Sequence, residues 1–172
     1  MKKLVVGTFL TLDGVMQAPG DPQEDTEGGF KYGGWQLPLF DDEAGKIIDE
    51  QMSATDALLL GRKTYQIHTS YWPTAPADDP MAQKLNSIPK YVVSTTVDKV
   101  EWNNLTLIKE NVPEEVAKLK QSGSGILSVT DSSKLAQTLM QYDLVDEYVL
   151  WIHSIVLGSG KRLFEVELPR SI

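Results

Sequence analysis

The 172-residue chain contains no cysteine and only two histidines, His68 and His153, which lie far apart in sequence. Without cysteine there is neither a disulfide framework nor a thiolate metal site. Two separated histidines argue against a histidine-rich centre, so no metal is expected. No apolar run reaches the roughly 18 residues that a membrane-spanning helix needs. The opening Met1-Lys2-Lys3-Leu4-Val5-Val6 also lacks the long apolar core of a signal peptide. These absences set the expectation of a cytoplasmic protein with no membrane partner. Positive charge is scarce: 16 Lys and Arg stand against 24 Asp and Glu, for a formal net charge of −8. An acidic surface repels a phosphate backbone, which argues against nucleic acid as a partner. Two large nucleotide-binding signatures are missing as well. Gly158-Ser159-Gly160-Lys161-Arg162 fails as a P-loop, because Ile155 and Arg162 stand where the pattern needs glycine and a hydroxyl. No G-x-G-x-x-G fingerprint follows any strand.

What remains is an ordinary globular composition, 41% apolar and 23% charged, long enough for one domain spanning residues 1–172. The pattern predicts strands at Lys3–Thr11, Asp56–Leu60, Lys90–Ser94, Leu105–Ile108, Gly125–Thr130 and Asp146–Leu157. It predicts helices at about Leu39–Ser53, Arg62–Ser70, Pro113–Gln121 and Ser132–Tyr142, the last capped by Asp131 or Ser132. Alternating strands and helices imply an α/β fold with a largely parallel sheet. The segment from Asp13 to Pro38, rich in Gly, Pro and acids, reads as a binding loop anchored by Phe30, Tyr32 and Trp35.

In such sheets ligands gather at the carboxyl ends of strands, and three strand ends carry suitable chemistry. Ala57-Leu58-Leu59-Leu60 runs into Gly61-Arg62-Lys63-Thr64, where a helix opening on a glycine would present free N–H groups and basic side chains to an anion. Ser94-Thr95-Thr96 offers hydroxyls to a ribose or a phosphate, and Thr130-Asp131-Ser132-Ser133 opens another helix. Together they suggest an elongated nucleotide. Asp13, between a strand end and Gly14, has two readings: a turn residue, which local context favours, or a proton donor. His153 reads as a packing residue, and His68 as a residue on its helix surface.

Leu4 to Gln17, Gly33-Gly34-Trp35, Leu60-Gly61-Arg62-Lys63-Thr64-Tyr65, Lys90-Tyr91-Val92-Val93-Ser94, Leu144-Val145-Asp146-Glu147-Tyr148 and Val156 to Phe164 together resemble the dihydrofolate-reductase-like family. Within it they resemble the branch related to the reductase domain of the bifunctional riboflavin-biosynthesis deaminase-reductase. The resemblance covers nearly the whole chain. It implies a three-layer α/β/α fold, NADPH as hydride donor, a small-molecule substrate and a homodimer. Carried onto this sequence, it assigns the cofactor's phosphates to Gly61, Arg62 and Thr64, with Lys63 beside them. Thr130, Ser132 and Ser133 lie on the same phosphate side, and Ser94 and Thr95 on the adenosine side. Asp13 would lie near nicotinamide and substrate as the catalytic residue, and Trp35 would line the substrate pocket. If the chemistry follows the riboflavin branch, the substrate is 5-amino-6-(5-phosphoribosylamino)uracil or a similar ribosylaminopyrimidine. The alternative is a non-catalytic dimeric member that binds nucleotide weakly and acts by interaction.

Two departures from the family pattern bear on this. Asp131-Ser132 stands where the family usually has Gly-Ser, and a carboxylate there would repel the expected pyrophosphate unless it turns away to cap the helix or pairs with a base. Family members also usually continue past Glu167-Leu168-Pro169-Arg170 into a final hairpin, whereas this chain stops at Ile172. A sheet edge left bare in that way would need covering.

Overall fold

A computed structural model of the protein describes residues 1–165; the expectation about the chain end after Glu167 lies outside them. Six strands, β1 (Lys3–Thr11), β2 (Thr55–Gly61), β3 (Lys90–Val93), β4 (Leu105–Ile108), β5 (Ile126–Thr130) and β6 (Glu147–His153), form one sheet. Its order is β4-β3-β2-β5-β1-β6, with every neighbouring pair parallel. Five helices connect them: α1 (Asp42–Ala54), α2 (Arg62–Thr69), α3 (Pro80–Ser87), α4 (Val112–Gln121) and α5 (Ser133–Gln141). Among the described residues, no helix is long and apolar enough to cross a membrane.

Alternation along β2 sorts the core into layers. Leu59 packs with Leu127, Val129, Val116 of α4 and Leu135 and Leu139 of α5. Leu58 and Leu60 face the other way, onto Tyr65 of α2, Leu85 of α3, Val92 and Trp102. Period-two burial on a strand covered from both sides produces this division. The helices therefore flank the sheet in three layers. A third apolar cluster, Val15, Ala18, Phe30 and Trp35, anchors the loop that follows β1. Tyr32, the third expected anchor, is instead half exposed.

Three elements differ from the sequence pattern. The first helix begins at Asp42 rather than Leu39. Leu37–Leu39 forms a separate 3-10 turn, and the Asp41 carboxylate accepts the Ala44 N–H at 2.8 Å as the N-cap. Helix α3 is not among the elements the pattern predicts, although Asp79 caps it and Pro80 occupies its first position. The last strand stops at His153 rather than Leu157, where the backbone turns at Ser154 opposite the end of its partner β1 at Thr11.

Lys90 is fully buried at the start of β3. Its ammonium donates to the Leu85 and Ile88 carbonyls at 2.6 and 2.8 Å, closing the C-terminus of α3, and lies 4.6 Å from the Trp102 ring centroid. Lys90→Met keeps the stem but leaves both carbonyls without their donor. It is expected to cost about 3 kcal/mol, read as a lower urea midpoint at unchanged slope.

Candidate functional site

Strands β2 and β5 are neighbours, yet the helices that follow them pack on opposite faces of the sheet. Such a reversal opens a crevice at the strands' carboxyl ends, and there the structure has a cleft of about 200 Å³. Its walls include Gly61, Arg62, Lys63, Thr64, Ser132 and Ser133, six of the sequence-predicted site residues. Gly61 N–H donates to Ser132 Oγ at 2.9 Å, and Thr64 Oγ1 lies 2.9 Å from the same oxygen. Thr64 Oγ1 is also 3.2 Å from the Asp131 carbonyl, and Ser132 Oγ is 3.1 Å from the Thr130 carbonyl. A Cβ at Gly61 would sit 3.1 Å from Ser132 Oγ, tighter than ordinary contact. Any larger residue would require Ser132 to give by a few tenths of an ångström.

This network corrects the capping expectation for α5. Neither Ser132 nor Asp131 caps it through its side chain, because the Ser132 hydroxyl is committed to Gly61 and Thr64. Helix α2 has no side-chain cap either. Two uncapped N-termini thus meet at one cleft, a local environment suited to an anion.

The loop after β1 closes the other side. Asp25 accepts from Lys63 and Lys161 at 2.5 Å each, and Glu27 pairs with the same lysines at 3.0 and 2.7 Å. Burial would raise the Asp25 carboxyl, but Lys161 and Lys63 outweigh it and hold the pKa at about 2. The same lysines hold Glu27 at about 2. Lys63, expected to face phosphate, is therefore paired with the loop's acids. Lys161, from the motif that failed as a P-loop, joins it in the cleft wall.

Asp131 behaves differently. It adopts a left-handed backbone, φ 48°, a conformation glycine takes at no steric cost. The residue keeps some exposed surface, yet burial of the carboxyl pushes its pKa up to about 7. The Thr8 hydroxyl, 3.1 Å away, and the Phe9 amide oppose that rise, while Glu24 adds to it.

Other expected site residues lie elsewhere. Asp13 is not in the cleft wall. Its carboxylate accepts Thr11 Oγ1 at 2.6 Å, Leu157 N–H at 3.2 Å and Gly158 N–H at 2.8 Å, and Arg162 contacts it too. Chiefly the Thr11 hydroxyl holds its pKa at about 2. A carboxylate so engaged staples the turn after β1 to the segment after β6, an arrangement that fits the turn-residue reading. Trp35 is buried in the loop's own core, donating to the Gln17 carbonyl at 2.8 Å and meeting His153 edge-on, which makes it a packing residue outside the cleft wall. Ser94 turns its hydroxyl to the Thr96 and Val97 amides, while Thr95 is exposed at the end of β3. Thr130 contributes its carbonyl to Ser132. His68 is not a surface residue. It lines the cleft, packs against Trp102, and has its buried Nδ1 unpaired, and burial lowers its pKa to about 4. Among the described residues, no group of three or more acidic or imidazole side chains could hold a metal.

The model of the RibD C-terminal domain family matches residues 2–171. Over 168 residues the chain is 29% identical to the protein YyaP of Bacillus subtilis (strain 168), covering 95% of this chain and 80% of YyaP. It is 27% identical over 128 residues to YwjB of the same strain, covering 74% and 69%. Among solved structures it is similar to a protein of Shewanella sp. PV-4 ascribed to riboflavin biosynthesis, with TM-score 0.69, 26% identity, and coverage of 98% and 86%. It is also similar to the dihydrofolate reductase of Enterococcus faecalis complexed with NADP(H), with TM-score 0.60, 14% identity, and coverage of 96% and 79%. A diaminohydroxyphosphoribosylaminopyrimidine deaminase/5-amino-6-(5-phosphoribosylamino)uracil reductase of Thermotoga maritima aligns with TM-score 0.60 at 13% identity, this chain covering 51% of it. The last two likenesses establish a dihydrofolate-reductase-like fold.

The geometry separates a stapling Asp13 from a catalytic one. Its folded pKa of about 2 lies below the roughly 3.9 of an unfolded aspartate. Its contribution to stability is therefore complete above about pH 4 and lost as pH falls toward 2. Asp13→Ala is expected to lower Tm by a few degrees at neutral pH and to flatten the acid dependence in that window. Nucleotide affinity, measured by calorimetry on the same variant, should stay unchanged.

Proposed function

The chain belongs to the RibD C-terminal domain family, and from that membership we propose that it is an NADPH-dependent reductase of a small heterocyclic or carbonyl substrate. The observation that carries this reading is the meeting of two uncapped helix N-termini across Gly61 and Ser132 in one cleft. The donor set fits a pyrophosphate. First-turn amides of α2 and α5 and the Arg62 guanidinium provide charge-complementary hydrogen bonding, and Gly61 keeps the approach open. Asp131 is the one group that works against it.

On this reading Gly61, Arg62, Lys63, Thr64, Ser132 and Ser133 hold the phosphates. Thr95, exposed at the end of the adjacent β3, lies toward the adenosine side. When bound, NADPH supplies the hydride; the chain's residues orient it and exclude water. The loop tied down by Asp25 and Glu27 roofs the cleft for that purpose. The substrate class extends to ribosylaminopyrimidines through the riboflavin branch, and the protein would act in the cytoplasm as a homodimer.

A second reading, a family member that binds nucleotide weakly and acts by interaction, draws on two observations. Asp131 stands on the phosphate side of the cleft, and both Lys63 and Lys161 are already paired with loop carboxylates.

Calorimetric titration with NADPH, with NADH as control, tests the proposal. Micromolar binding that prefers NADPH, followed by substrate-dependent loss of the reduced-nicotinamide absorbance, supports the reductase; no binding of either nucleotide overturns it in favour of the second reading. Within the first outcome, Arg62→Ala should weaken NADPH by about tenfold. At about pH 8.5, where Asp131 is ionised, Asp131→Gly, at home in a positive-φ position, should tighten it by about as much.

A further inference from the structure

Asp131 lines the cleft at the start of α5, with the first residues of α2 in the same wall. Among the described residues no basic side chain pairs with it. Its carboxyl accepts from Thr8 Oγ1, at 3.1 Å, and from the Phe9 amide. The surrounding charges come from every wall. The loop brings Glu24, Asp25 and Glu27, α2 brings Arg62, Lys63 and His68, α5 brings Lys134, and Lys161 follows β6. Asp25 and Glu27 are balanced by Lys63 and Lys161. Glu24 accepts only the Gly20 and Asp21 amides, and its charge bears on Asp131. His68 is held neutral near pH 7 by burial, so it does not titrate in this range.

A carboxylate in that position repels a phosphate, whereas a carboxylic acid can donate to one. We propose that Asp131 meets the ligand's phosphate as a neutral acid, its O–H donating to a phosphate oxygen, so that the nucleotide enters the cleft together with one proton from solvent. This rests on the NADPH reading and adds a residue that makes binding proton-linked. The geometry supplies both requirements: a carboxyl that pairs with no cation among the described residues, and a positive-φ backbone that sets it at the helix start. Burial that raises its pKa to about 7 places the change in the neutral range.

The sign follows from linkage. Binding selects the protonated form, so affinity is highest below the free-state pKa and falls about tenfold per pH unit above it. The test is calorimetric titration with NADPH from about pH 5.5 to about 8.5, in two buffers of different ionisation enthalpy, for the wild type, Asp131→Asn and Asp131→Gly. The wild type should take up close to one proton more than either variant at the alkaline end. Its affinity should fall there while theirs stays level. Titration of the nucleotide's own phosphate is common to all three and cancels. Glu24→Gln should move the wild-type midpoint to lower pH without abolishing it, because it removes a neighbouring negative charge. Matching pH profiles for the wild type and Asp131→Asn overturn the proton linkage and leave the NADPH reading standing. Absence of binding in all three proteins at every pH overturns both.

Discussion

The close contact between Gly61 and Ser132 is the constraint on which the cleft depends. It joins the carboxyl ends of two neighbouring parallel strands and the starts of two helices that then depart to opposite faces of the sheet. One serine hydroxyl accepts from the Gly61 amide and lies within hydrogen-bond distance of the Thr64 hydroxyl. A side chain on Gly61 would press on that hydroxyl and force it to give by a few tenths of an ångström. Both helices forgo a side-chain cap as a consequence, which concentrates unsatisfied amides on one small volume. The potential of the site is thus built by backbone placement, with side chains adjusting it.

That adjustment is made largely by acids, as expected in a chain of net charge −8. Asp25 and Glu27 reach across the mouth to Lys63 and Lys161, tying a long loop to the helix start it covers. The pairs are partly exposed, so each is worth little alone. Their interest lies in geometry: four charges connect the loop, α2 and the segment after β6. Among the described residues no cation pairs with Asp131, and burial disfavours its ionisation. The two sets of carboxyls differ in whether a cation is within reach.

Much of the fold was legible because it rests on local pattern. The limits of β1 and β4 follow directly from runs of apolar and β-branched residues. Helix α3 escaped because Met81, Ala82 and Leu85 form too short an apolar stripe, even though Asp79 and Pro80 mark its start. The end of β6 could not be read from its own residues. Ile155 to Leu157 stay apolar, and the strand stops where the backbone turns at Ser154, Ile155 N–H donating back to the His153 carbonyl at 2.8 Å opposite the end of β1. The three hydroxyl-bearing strand ends were recognisable as a set. Their adjacency as β3, β2 and β5 is a property of the sheet order.

The sequence by itself determined the alternation of strand and helix, the glycine that opens α2, and the family to which those motifs point, since each depends on residues a few positions apart. Only the tertiary structure decided the parts played by the two aspartates. Asp13 meets the amides of Leu157 and Gly158 from the far end of the chain and becomes a staple. Asp131 is buried beside Thr8 and near Glu24, with no ion-pair partner among the described residues, and becomes the titratable group of the cleft. A carboxyl's role follows from its burial and from the groups within a few ångströms. For Asp131 these come from more than a hundred positions away. Asp13 is held ionised chiefly by Thr11, two residues before it, and becomes a staple through amides at the other end of the chain.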